Sequence, residues 1–89
     1  MGMKELYQAS ILADDGREYL LCYYLLRQDR FYGVLVKKSY RGNVVEQAEI
    51  TYLGEANDHT LGLIYKLGRN TVTPCVLAQL ADEWLEEPL

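Results

Sequence analysis

The sequence predicts an α+β fold, a four-stranded antiparallel meander followed by two helices packed on one face of the sheet. Three observations predict it. Two apolar runs, Tyr19-Leu20-Leu21-Cys22-Tyr23-Tyr24-Leu25-Leu26 and Phe31-Tyr32-Gly33-Val34-Leu35-Val36, have strand length and are joined by the turn Arg27-Gln28-Asp29-Arg30. A third run, from Val44 to Leu53, alternates polar with apolar as a half-buried strand does. After Asn57 the apolar spacing becomes helical, and Thr73-Pro74 opens a second helical stretch. Strands are expected over residues 5–13, 18–27, 30–40 and 44–53, and helices over 58–67 and 74–86, in one domain spanning 1–89.

In the first strand, Tyr7, Ala9 and Ile11 share one face, with Leu6 and Leu12 on the other. Asp14-Asp15-Gly16 follows as a turn, glycine supplying the positive φ that a tight hairpin demands. The second and third strands do not alternate, so both of their faces call for cover. Arg41-Gly42-Asn43 makes the next turn. A two-residue Gly42-Asn43 loop would set Leu35 opposite Ile50 on the core side. Val34 and Val36 would then oppose Thr51 and Glu49 on the outer side.

Asn57 or Asp58 caps the first helix through its side-chain oxygen. Leu61, Leu63, Ile64, Tyr65 and Leu67 cover most of its circumference, which predicts a largely buried helix. Gly68 is expected as its left-handed terminator, with Arg69 near the negative end of the dipole. Thr73 caps the second helix and Pro74 takes its first position. Val76, Leu77, Leu80, Ala81, Trp84 and Leu85 fill one side of its wheel. Gln79, Asp82, Glu83 and Glu86 fill the other, and Pro88 ends it.

With 89 residues, 49% hydrophobic and 25% charged, the chain has the makeup of one folded domain, and no run is apolar enough to span a membrane. The opening Met-Gly-Met-Lys-Glu lacks the basic and apolar regions of a secretory signal, so a cytoplasmic location is expected. Cys22 and Cys75 lie too far apart for a metal or redox motif and read as buried thiols. The net charge of −4 is unevenly laid out: Arg27, Arg30, Lys37, Lys38 and Arg41 face one acid, Asp29, between positions 27 and 41. At Tyr32-Gly33-Val34, Thr73-Pro74 and the closing Asp82-Glu83-Trp84-Leu85, the chain resembles a family of small uncharacterised clostridial-type bacterial proteins. That resemblance implies a cytoplasmic bacterial protein with a domain of unknown function; it implies no activity and supplies no functional residues.

No catalytic constellation emerges, and no cofactor or metal is expected. His59 is the only histidine, and its acidic neighbour Asp58 points elsewhere on a helix. Asp14-Asp15-Gly16 lacks the further carboxylates of a calcium loop, and the scattered glycines form no phosphate cradle. Two helices lid one sheet face, whereas the middle strands are apolar on both. The expected function is therefore a non-catalytic interaction module, a homodimer or a binder of another protein through the outer sheet face. Tyr24, Tyr32, Val34, Val36 and Tyr40 are the expected contacts, with Lys38 and Arg41 at the rim. The alternative is a single-stranded RNA or DNA binder, with sheet tyrosines stacking bases and Lys37, Lys38 and Arg41 holding phosphates.

Overall fold

Three short turns with left-handed backbone fold the first half of the chain into a meander of order β1-β2-β3-β4, antiparallel throughout. The computed structural model describes the backbone of residues 2–86 and the side chains of residues 2–82. The strands are β1 (Gly2–Leu12), β2 (Glu18–Gln28), β3 (Phe31–Tyr40) and β4 (Asn43–Glu55), followed by helices α1 (Asp58–Arg69) and α2 (Pro74–Glu86). The α+β class and the order of elements are those expected. The readings on the side chains of Glu83, Trp84, Leu85 and Glu86, and on Pro88 as the helix end, lie outside the described residues.

Each hairpin turn has its own chemistry. In the first, Gly16 N–H donates to the Ala13 carbonyl at 2.9 Å, and Gly16 holds φ at 82°. Asp29, at φ 52°, opens the second turn. The third is Arg41-Gly42, with φ of 50° and 83° and Tyr40 paired to Asn43. Positive φ at both central residues is the requirement of a type I′ turn, whose twist matches that of the flanking strands. The loop thus lies one residue earlier than the expected Gly42-Asn43. A bulge opposite Lys38 and Ser39, with Val45 the extra residue on β4, shifts the ladder again, so Val34 meets Ile50, Leu35 meets Glu49 and Val36 meets Ala48. Because strand side chains alternate, this odd net shift turns over the expected faces of β3. Val34 and Val36 face the core, and Leu35 faces outward.

The core lies between the sheet and the helices. Leu21, Tyr23 and Leu25 of β2 and Val34 and Val36 of β3 pack with Ile64, Leu67 and Leu77. At its centre Tyr23 is fully buried. Its hydroxyl donates to the Val72 carbonyl at 2.8 Å, in the link between the helices. The Val72 N–H is satisfied from the other side, donating to the Leu67 carbonyl at 3.0 Å. Tyr7 lies edge-on to Tyr23, ring centres 6.1 Å apart, and its other flank meets Gly68.

Gly68 therefore has a different role from the one expected. It lies inside α1, which runs on to Arg69 with Asn70 as its C-cap. A Cβ at Gly68 would sit 2.6 Å from Tyr7 Cδ2, so glycine is there to admit the ring. The left-handed residue after the helix is Thr71, at φ 49°. Both N-caps are as read from the sequence: the Asn57 side chain accepts from Thr60 N–H at 2.9 Å, and Thr73 Oγ1 accepts from Val76 N–H at 3.4 Å. Val76 and Cys75, however, are exposed, because α2 turns Leu77 and Leu80 to the core instead.

Two predictions follow from the Tyr23 and Gly68 seats. Tyr23→Phe leaves the Val72 carbonyl unpaired and lowers unfolding free energy in urea by about 1–3 kcal/mol. Burial pushes the Tyr23 hydroxyl up to about 12 from 10.0. A raised acid favours the neutral fold, so this contribution is whole below pH 10, is lost as pH rises through 12, and is missing from the Phe variant. Separately, Gly62→Ala, where a Cβ meets nothing, stabilises by about 0.5–1 kcal/mol in the same assay. Gly68→Ala reverses the sign, costing about 1–3 kcal/mol by forcing Tyr7 aside.

Candidate functional site

With the helices on the Leu21–Val36 side, strand alternation sends Leu20, Cys22, Tyr24 and Leu26 of β2 to the opposite face. Phe31, Leu35, Lys37 and Ser39 of β3 join them. No helix lies over this face among the described residues. Its side chains form rows across the strands. One row is Glu5, Tyr24, Leu35, Glu49; the next is Gln8, Cys22, Lys37, Gln47; a third is Ser10, Leu20, Ser39, Val44. The middle strands carry most of the apolar groups, while the edge strands contribute mainly polar ones.

The face is partly closed by its own curvature. β4 bulges opposite Gly33, where a Cβ would run into the carbonyl oxygens of Ile50 and Thr51. Glycine lets that backbone lean onto β3, bringing Tyr52 against Phe31 at 4.4 Å between ring centres. Leu26, between Met3 and Gly33 in register, is buried to 4% without any lid. Cys22 is similarly covered, only 7% exposed, and burial, followed by Glu5, pushes its thiol up. Leu20 remains 37% exposed, and Tyr24, Phe31 and Leu35 are half-buried. Lys37 Nζ lies 5.2 Å from the Tyr24 ring centre, and burial raises the Tyr24 hydroxyl above its usual range.

Of the contacts expected from the sequence, Tyr24 alone lies on this face. Val34 and Val36 are fully buried under the helices, and Tyr32 packs against the same core. The correction has one cause, the turn at Arg41-Gly42 together with the bulge beside Lys38, which exchanges the two faces of β3. Leu20, Phe31, Leu35 and Tyr52 take their place. The usable signal was the polar set of the alternating fourth strand, since Glu49 and Gln47 mark the outer face and their partners Leu35 and Lys37 share it.

Lys38, Tyr40 and Arg41 do come together, at the turn end of the sheet. Tyr40 lies 5.5 Å from Tyr19, with Arg17 at 5.1 Å and Arg41 at 5.2 Å from its ring centre. Lys38 lies 4.4 Å over Tyr19. Asp15 accepts from Arg17 N–H and from the Tyr19 hydroxyl, both at 2.8 Å, and those bonds hold its carboxyl below the usual range. The protein's own cations occupy these ring faces, and Glu46 faces Lys38 across the strands. That arrangement ties down the cluster and leaves little platform for a stacked base. His59 is exposed, and among the described residues no three His, Cys, Asp or Glu side chains gather as a metal site. No helix among them is long and apolar enough to cross a membrane.

Fold and faces together define a class: an α+β domain of ββββαα order with one sheet face lidded by helices and, among the described residues, no helix on the other. Residues 3–87 match a family of unknown function, DUF6514, and the chain belongs to that family. No curated protein and no solved structure matches it.

The two thiols provide a check on the faces. In the native protein, Ellman's reagent labels exposed Cys75 within minutes, whereas buried Cys22 reacts only in denaturant. Rapid native labelling of both would show the outer face to be looser than described.

Proposed function

We propose that this protein is a non-catalytic interaction module, cytoplasmic and bacterial, that engages a protein partner through the face of β2 and β3 turned away from the helices. One observation carries the reading: Leu20, Tyr24, Phe31 and Leu35 form an apolar stripe with no helix over it among the described residues, between edge strands bearing Glu5, Gln8, Gln47 and Glu49. An apolar centre inside a polar rim is the anatomy of a protein interface. At about 25 cal/mol per Å2, each ~100 Å2 of apolar surface left wet forgoes about 2.5 kcal/mol, a sizeable share of the stability of a small domain. Free thiols at Cys22 and Cys75 suit a reducing compartment. The nucleic-acid alternative is the weaker reading, because its Lys38 and Arg41, with Arg17, already lie over the rings of Tyr19 and Tyr40.

Sedimentation at micromolar concentration, together with amide-shift mapping of peptides selected from a random displayed library, tests the reading. The expected result is either a dimer that Leu20→Glu or Leu35→Glu returns to monomer, or a monomer whose selected peptides shift the amides of Leu20, Tyr24 and Leu35. A monomer that selects no peptide, or selects peptides mapping to the helices, would end the proposal.

A further inference from the structure

We infer that the open face seats an amphipathic α-helix of a partner protein, its apolar side on β2 and β3 and its flanking basic side chains against the glutamates of β1 and β4. The inference rests on the interface reading above and adds the partner's shape and charge.

Width argues for a helix. Glu5 and Glu49 end one row, separated by three strand spacings, or about 14 Å. A helix with its side chains is about 10–12 Å across and fits between them. Along β3 the stripe runs from Phe31 to Ser39, about 27 Å, the length of a helix of about 18 residues.

Charge argues for a basic one. The open face carries Glu5, Glu18, Glu49 and Glu55 in register with its apolar rows, while Lys37 is drawn over the Tyr24 ring. A helix with Lys or Arg on both sides of an apolar stripe meets acid on both walls.

The same charges disfavour a second copy of this chain. Laid face to face and turned about an axis along the strands, Glu5 of one copy falls over Glu49 of the other. Turned about an axis across them through that row, Glu5 and Glu49 each face their own counterpart. Strand addition is opposed as well, because both edge strands carry bulges: β1 between Glu5 and Tyr7, β4 opposite Gly33 and beside Lys38.

The test uses two peptides of about 18 residues, each with one leucine stripe, flanked by Lys in one and by Glu in the other, titrated calorimetrically into the whole protein. The Lys-flanked peptide is expected to bind at least about tenfold tighter. General attraction to an acidic protein would do the same, so variants separate the two causes. Leu20→Glu, at a position already 37% exposed, adds negative charge yet should weaken the Lys-flanked peptide about tenfold or more. The double change Glu5→Gln with Glu49→Gln should weaken it about fivefold or more, whereas Glu46→Gln, on the other side of the sheet, should not.

Tighter or unchanged binding to Leu20→Glu, equal effects of the Glu46 and the Glu5/Glu49 changes, or equal affinity for both peptides overturns the inference. Should neither peptide bind while the protein sediments as a dimer that Leu20→Glu dissociates, the helix is wrong and the interface reading stands. No peptide binding by a monomer that also selects nothing from the library sinks both.

Discussion

A single buried hydroxyl sets the arrangement of this molecule. Tyr23 stands at the middle of a central strand with no access to water, so its O–H must find an acceptor inside the protein. It finds one, the Val72 carbonyl in the link between α1 and α2. That bond holds the helix pair to the Tyr23 side of the sheet, and Tyr7 completes the seat by filling the space that Gly68 leaves open. Leu67 and Leu77 then close the core on either side of the link. The alternative, helices on the Tyr24 side, would leave the Tyr23 ring exposed to water.

Once the helices have a side, the opposite face is defined by subtraction. Its apolar groups are more crowded than its lack of a lid suggests, because the β4 bulge leans across Gly33 and the edge side chains close over Leu26 and Cys22. Curvature is thus a partial answer to the excess of apolar residues in the central strands. What remains exposed is narrow, one or two strands wide, and its borders are mainly polar, with Glu5 and Glu49 at the ends of one row.

The basic residues that look like a nucleic-acid patch in the sequence are arranged differently in space. Arg17, Lys38 and Arg41 are gathered onto Tyr19 and Tyr40, and Asp15 ties the β1–β2 turn into the same cluster. Cations stacked on tyrosine faces brace the two turns at that end of the sheet. Spacing along a strand brings such residues near one another, but only the ring geometry tells which surface they leave free.

The sequence by itself determined the class, the order of elements and much of the punctuation. Gly16, Asn57 and the Thr73-Pro74 pair act through local backbone chemistry, which a short window contains. The polar alternation of the fourth strand was equally visible. Which face of β3 met the helices was not, since it depended on whether Arg41 or Asn43 took the left-handed place beside Gly42, and on a β4 bulge two pairs further along the same ladder. A period of two makes every such odd shift exchange inside and outside, so a local ambiguity became a global one. Gly68 was misread for a related reason: its need for glycine comes from the Tyr7 ring, sixty-one positions earlier in the chain, and not from its own φ. Tertiary packing decided the faces, and with them which side chains are left for a partner.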